Sequence, residues 1–227
     1  MNLFLFLLLS ASMWAQIERP SMGVMLDENG RARPVTGAAA AAALGDPLFD
    51  GAVLSLACSE MMCLAKTETA VVSSAGETAD APPGAALMVF SGDAAYVYFV
   101  ETRQFAIWFA GRLYLFDFES GGDVLSIRAN GFDYAIARDD GIWVGTQNLG
   151  SAKAIFLLDG GGALLAVDGQ VRLLRSDGTE VDFAVAGAGG FVRMSDRYVE
   201  VITDSGMWAL DTELGHEQIF LLPGGSR

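Results

Sequence analysis

The stretch RDDGIWVGTQ, Arg138 to Gln147, places acidic residues and a glycine directly ahead of alternating apolar side chains. Much the same phrase recurs as AGRLYLFD from Ala110, VDGQVRLLRSDG from Val167 and DSGMWALD from Asp204. Its glycines, Gly111, Gly141, Gly169 and Gly206, are spaced 30, 28 and 37 residues apart. Asp or Ser beside Gly favours a tight turn, and apolar alternation with a period of two marks a strand half covered by its neighbours. The chain repeats one unit, a turn feeding a strand.

The same grammar holds on both sides. From Ala85 onward come AAYVYFVE, QFAIWFAG, RLYLFDF, DVLSIRA, FDYAIARD, GIWVGTQ, AIFLLDG, ALLAVDG, VRLLRSDG, VDFAVAG, FVRMSD, YVEVITD, GMWALDT and QIFLLPG. They are short, rich in β-branched and aromatic residues, and separated by Gly, Asp, Asn or Ser. Some alternate; others are apolar throughout, as expected where both faces of a sheet are covered. Upstream, Gly23 to Val35 reads as strand, turn, strand, with Asn29 and Gly30 as the turn. The alanine run from Gly37 to Pro47 reads as a connection, and Ser73 to Gly84, small, polar and proline-containing, as a surface loop. The fold class is all-β.

About four short strands per repeat of this length is what a β-propeller blade requires. The pattern resembles the loose repeats of the WD-repeat, NHL and YVTN-like propeller superfamily. In particular it resembles uncharacterised secreted bacterial propeller proteins in which an RPVTG-like and an LGDP-like segment precede the blades, here Arg33 to Gly37 and Leu44 to Pro47. It departs from the best-known repeat signatures: there is no Gly-His and Trp-Asp pair, no kelch double glycine, and only partial Asp-box turns in TDSGMW and RSDGTEVDF. At roughly 40 residues per blade, residues 16–227 hold five four-stranded blades, or six lean ones. The hairpin at Gly23 to Val35 is expected to complete the last blade and close the ring. The competing architecture is a β-sandwich or an irregular stacked β fold.

The extreme N-terminus reads differently. Leu3 to Leu9 is too short to span a bilayer as a helix and is followed by small and polar residues. Residues 1–15 are therefore expected to be a cleaved signal peptide, leaving residues 16–227 as a single domain without a membrane span. No cysteine near the cut offers a lipid anchor, so the chain is expected in the periplasm or outside the cell, as a monomer. Cys58 and Cys63 flank a four-residue loop between two short strands, which would set them opposite each other within disulfide reach. A pair of reduced thiols is the competing reading. The formal net charge is -14, and the 14 basic residues do not cluster. A phosphate backbone needs clustered Lys and Arg, so nucleic acid is excluded as a partner class.

No catalytic, cofactor-binding or metal-ligating residue is assigned. His216, the lone histidine, lies in a polar turn, with no nucleophile motif elsewhere. Asp139, Asp140, Asp159, Asp168, Asp177 and Asp204 sit in turns. There they either ring a channel mouth, where they would bind a cation or a sugar, or bond to their own backbones. The glycine-rich pieces Asp159 to Leu165 and Gly187 to Phe191 neither open a helix nor supply a lysine, so they are connections rather than phosphate loops. Trp108, Trp143, Trp208, Tyr96, Tyr98 and Tyr114 lie inside strands and are expected in the core. Two functions compete. One is an exported non-catalytic binding or scaffolding module for a protein or glycan at the cell envelope. The other is a propeller hydrolase, lactonase or lyase using turn carboxylates and a central metal. Converging carboxylates at one mouth would favour the enzyme; carboxylates bonded to their own turns would favour the binding module.

Overall fold

The structure, a computed structural model, describes residues 20–38, 41–130 and 132–223. Those residues form six antiparallel sheets, each from consecutive strands. Blade one holds β1 (Ser21–Leu26), β2 (Ala32–Thr36) and β3 (Ala43–Leu44). Blade two holds β4 (Ser55–Cys58), β5 (Cys63–Lys66), β6 (Ala70–Ser73) and β7 (Thr78–Asp80). Blade three holds β8 (Ala86–Ser91), β9 (Ala94–Phe99), β10 (Gln104–Phe109) and β11 (Arg112–Phe116). Blade four holds β12 (Asp123–Arg128), β13 (Asp133–Arg138), β14 (Gly141–Val144) and β15 (Gln147–Asn148). Blade five holds β16 (Ala154–Leu157), β17 (Ala163–Val167), β18 (Gln170–Leu174) and β19 (Glu180–Phe183). Blade six holds β20 (Ala188–Arg193), β21 (Tyr198–Thr203), β22 (Gly206–Asp211) and β23 (Gln218–Leu221). The ring is a six-bladed β-propeller, with blade one three-stranded and the others four-stranded. Successive blades begin about 31 to 37 residues apart, so the lean count is the correct one.

The first strand of every blade lies innermost, where β4 meets β8, β8 meets β12, β12 meets β16 and β16 meets β20. Two serines tie these strands across blades. Ser55 Oγ accepts from the Ala86 N–H at 3.0 Å, and Ser126 Oγ accepts from the Leu157 N–H at 3.0 Å. Each satisfies an edge donor that no ladder reaches.

The apolar core is divided among the six blade interfaces, and each has its own composition. Val24, Ala32, Leu56 and Ala65 join blades one and two; Leu64, Val97, Phe99 and Trp108 join two and three. Tyr98, Phe105, Val124 and Ile136 join three and four, flanked by Phe118, Phe132 and Tyr134. Their rings meet at 4.7 to 5.4 Å, several edge to face. Ile142, Ile155 and Leu165 join four and five, and Leu164, Leu173, Val201 and Leu210 join five and six. Burying each large side chain contributes about 1.5–3 kcal/mol.

Four methionines, Met22, Met25, Met194 and Met207, make the seam between blades six and one. Closure is also close-fitted in the backbone: the Val24 N–H donates to Met194 O at 3.1 Å. Gly23, at φ +113°, lies so near that a Cβ there would stand 1.9 Å from that same oxygen.

Five expectations need correction. The hairpin at Gly23 to Val35 does not complete the last blade: β1 and β2 pair with each other and with β3, making a blade of their own. The loop assigned to Ser73 to Gly84 contains β7, the outer strand of blade two. The connection at Gly37 to Pro47 likewise contains β3. Finally, the four glycines of the repeated phrase are not equivalent. Gly141, Gly169 and Gly206 mark the turn between second and third strands, whereas Gly111 marks the turn between third and fourth. Tyr114 is half exposed on β11 rather than in the core. The expected signal peptide lies outside the described residues.

Lys66 is fully buried between blades two and three. Its Nζ donates to Thr67 O at 2.6 Å and Glu68 O at 3.2 Å and stands 5.9 Å from the Phe99 ring centre. Burial pushes the ammonium below the usual lysine range, against the opposing pull of the Glu68 and Glu101 carboxylates.

Two outcomes follow from this packing. Gly23→Ala is expected to lower unfolding free energy by about 2–4 kcal/mol, through strain at a positive φ and the contact with Met194; denaturant titration measures it. The chain has two lysines, Lys66 and Lys153. An amine-reactive label on the native protein is expected to modify exposed Lys153 and to reach Lys66 at least about a hundredfold more slowly, since access requires opening; peptide mass mapping reads the ratio.

Candidate functional site

The free edges of the innermost strands border a central channel. Side chains from all six blades line it, and they are mostly apolar: Leu26, Leu54, Met88, Leu125, Phe156 and Phe191 represent the six. The cavity is about 170 Å³. Its basic group is Arg193, the last residue of β20, which also lines the wider cavity of about 290 Å³ at one mouth. That mouth is built from turns between first and second strands. Blade two contributes Ser59 to Met61, blade three Gly92 and Asp93, blade five Asp159 and blade six Asp196.

The mouth is braced by identifiable contacts. Cys58 and Cys63 stand directly opposite in the β4–β5 ladder and are joined by a disulfide, as their spacing suggested. The loop they close is further held by Ser59, whose Oγ accepts from the Met61 and Met62 N–H groups at 3.3 Å. Met61 projects from this staple and is 87% exposed. On the opposite side, Arg193 donates both Nη groups to Asp159 at 2.7 and 3.1 Å, and its guanidinium lies 5.4 Å from the Phe156 ring centre. Arg128, ending β12, donates to Leu158 O at 3.1 Å and to Asp133 at 2.8 Å. The turn of blade five is thus gripped from both neighbouring blades.

Three of the six turn carboxylates singled out in the sequence are held by neighbouring donors. Asp177 accepts from the Thr179 N–H and hydroxyl, and Asp140 from the Trp143 indole N–H at 2.9 Å. Asp159 is engaged by Arg193, while Asp139, Asp168 and Asp204 stand exposed in separate turns of blades four, five and six. Sequence reading passed over Asp27, which accepts from the Asn29 and Arg31 N–H groups at 2.9 Å each and from Arg33 Nε at 2.7 Å. Burial alone would raise its pKa; those hydrogen bonds and the nearby guanidinium outweigh it and hold the carboxyl below the usual range. The Thr179 hydroxyl and N–H hold Asp177 low in the same way. Among the described residues no group of three or more His, Cys, Asp or Glu side chains is placed to hold a metal ion.

The other singled-out residues do not join the mouth as a set. His216 is exposed in the turn before β23. Trp108 and Tyr98 are buried, and Trp143, Trp208 and Tyr96 partly so, at blade interfaces. Gly160 and Gly162 lie in the β16–β17 turn, and Gly189 and Gly190 within β20. Both glycine-rich pieces therefore serve strands. Arg193, Arg128 and Met61 were missed because no local pattern distinguishes a channel-mouth residue from any other strand end.

No family model and no curated protein sequence matches the chain. Solved structures do match. The chain is similar to one in a nidogen/laminin complex, at 11% identity over 90% of this chain and 95% of that one, with a TM-score of 0.60. It is also similar to PorZ, a bacterial surface component of the type-IX secretion system of Porphyromonas gingivalis, at 12% identity over 91% of this chain with a TM-score of 0.55. It spans only 38% of the PorZ chain. A virginiamycin B lyase from Staphylococcus aureus matches at 8% identity, over 89% of this chain and 84% of that one, with a TM-score of 0.45 that carries no weight. At such identities the likeness is one of fold, and the fold is a β-propeller.

Asp27 gives a pH test. Its folded carboxyl releases its proton at lower pH than in the unfolded chain, so its stabilisation is complete above about pH 4 and fades as pH falls through the lowered folded value. Asp27→Asn is expected to cost about 1–2 kcal/mol at neutral pH. The gap to the parent should shrink as pH drops below that window, as read from denaturation midpoints across a pH series.

Proposed function

We propose that the protein is an exported, non-catalytic binding module that recognises a protein at the cell envelope through the turns around the mouth occupied by Met61 and Arg193. One observation carries this reading. The mouth is a braced, solvent-open surface with an apolar channel behind it, and two of its carboxylates, Asp159 and Asp196, face Arg193 rather than a shared centre. A hydrolase or lyase working through turn carboxylates and a central metal would need those carboxylates to converge. An exposed methionine on a stapled loop, by contrast, is a contact element: thioethers pack against varied partner surfaces. The disulfide accords with an oxidising compartment. The settings of the two similar structures, a protein–protein complex and a bacterial surface, accord with the reading as well.

The test is capture from envelope extract with the chain from Gln16 onward, beside a Glu60→Lys/Met61→Lys form and a Leu221→Ser form altered far from the mouth. A saturable partner held by the parent and the Leu221→Ser form, and bound at least about tenfold more weakly by the double-lysine form, is the expected result. A partner indifferent to the mouth, or none with folded bait, overturns the assignment. Chelator-dependent melting would replace it with the metal-enzyme reading.

A further inference from the structure

We propose that the outer edge of blade three pairs with the same edge of a second copy. Most other outer strands of the described ring are blunted. β3 and β15 have two residues and β7 three, and β19 carries Glu180 and Asp182. Edges left open invite pairing, and short or charged strands prevent it. β11 has no such protection. It runs five residues with no charge between Arg112 and Asp117. Tyr114, Leu115 and Phe116 are 53%, 52% and 38% exposed, and Phe109 at the end of the next strand is 51% exposed. Among the described residues, β10 alone pairs with β11.

The backbone defines what can dock. Ala110 and Gly111, at φ 49° and 74°, make a two-residue turn between Phe109 and Arg112. The pair flanking such a turn is hydrogen-bonded, and that sense recurs at every second residue. Arg112, Tyr114 and Phe116 therefore bond inward to β10, while Leu113 and Leu115 turn their N–H and C=O groups to the open side.

A second copy fits this edge in one register. Two antiparallel strands related by a two-fold axis must set one residue against its own counterpart. Centred on Leu115, the pairing would oppose Leu113 to Asp117; centred on Leu113, it would oppose Leu115 to Gly111. Centred on Tyr114, it sets Leu113 against Leu115 twice, through the two residues whose backbone groups face outward. It also sets Arg112 over Phe116 twice, a cation against a ring face. The strand is complementary to itself, as an isologous contact requires. Half-exposed side chains of this size offer about 100 Å² each, so with the backbone the contact approaches roughly 1,000 Å², the lower bound for a specific interface. The dimer is weak, and it departs from the monomer expected from sequence. Because each chain carries a net charge of -14, added salt screens the repulsion and tightens the pairing.

Sedimentation equilibrium of the full-length protein and disulfide trapping test this directly. The native cysteines are bonded to each other and no free thiol remains among the described residues. Tyr114→Cys places new thiols at a non-hydrogen-bonded pair about 4.5 Å apart between Cα atoms, within disulfide range. Expected are a reversible dimer at micromolar to submillimolar concentration that strengthens with salt, and rapid oxidation of Tyr114→Cys to a covalent dimer. Leu115→Cys should oxidise at least about tenfold more slowly, and Tyr114→Lys, which opposes two cations across the axis, should weaken association at least tenfold. A monomer throughout, trapping through Leu115→Cys in preference, or a dimer unaffected by Tyr114→Lys overturns the proposal and assigns the edge to another occupant.

Discussion

A blade of short antiparallel strands cannot bury either of its faces alone, and everything else in this molecule follows from that constraint. Each sheet presents apolar side chains to both neighbours, and only a closed ring leaves no terminal face exposed to water. The core is accordingly six separate interfaces. This explains why strands such as β5 and β17 read as nearly unbroken apolar runs, and why the polar residues collect in turns.

The same constraint makes the channel. Stacking six wedges directs the innermost strand edges toward an axis, and the serines at positions 55 and 126 bind two of those edges to the next blade. What remains is filled by aliphatic and aromatic side chains from every blade. Chemistry at such an axis is limited by what the turns bring to its mouth, and here they bring an arginine held by an aspartate, a stapled loop and scattered carboxylates. The result is a surface braced by an ion pair and a disulfide, and the recognition role proposed above rests on it.

The repeated turn-strand phrase made the class and the blade size readable in the sequence because both depend on local rules: alternation marks strands and glycine marks turns. Position within the blade was not readable. Any tight hairpin writes the same phrase, so Gly111 looked equivalent to Gly141 while serving a different turn. Blade one was misassigned because three strands with an alanine-rich connection lack the four-strand rhythm. The cysteine pair was legible because opposition across a short loop is local geometry. The channel mouth was not, since Met61, Asp159 and Arg193 are brought together only by the ring. Exposure of β11 was likewise hidden: RLYLF reads as core, and only the fold shows that among the described residues no strand lies beyond it.

The methionine seam has a consequence for the ring as a mechanical object. The six blade interfaces differ in composition, and a ring closes only if the last of them absorbs whatever misfit the others leave. That one is the junction not joined by continuous chain, where blade six meets blade one. An unbranched thioether side chain with several rotatable bonds fills irregular space better than a branched one. Four of them there let that junction act as an expansion joint, so that the other five interfaces keep their own shapes while the circle still closes.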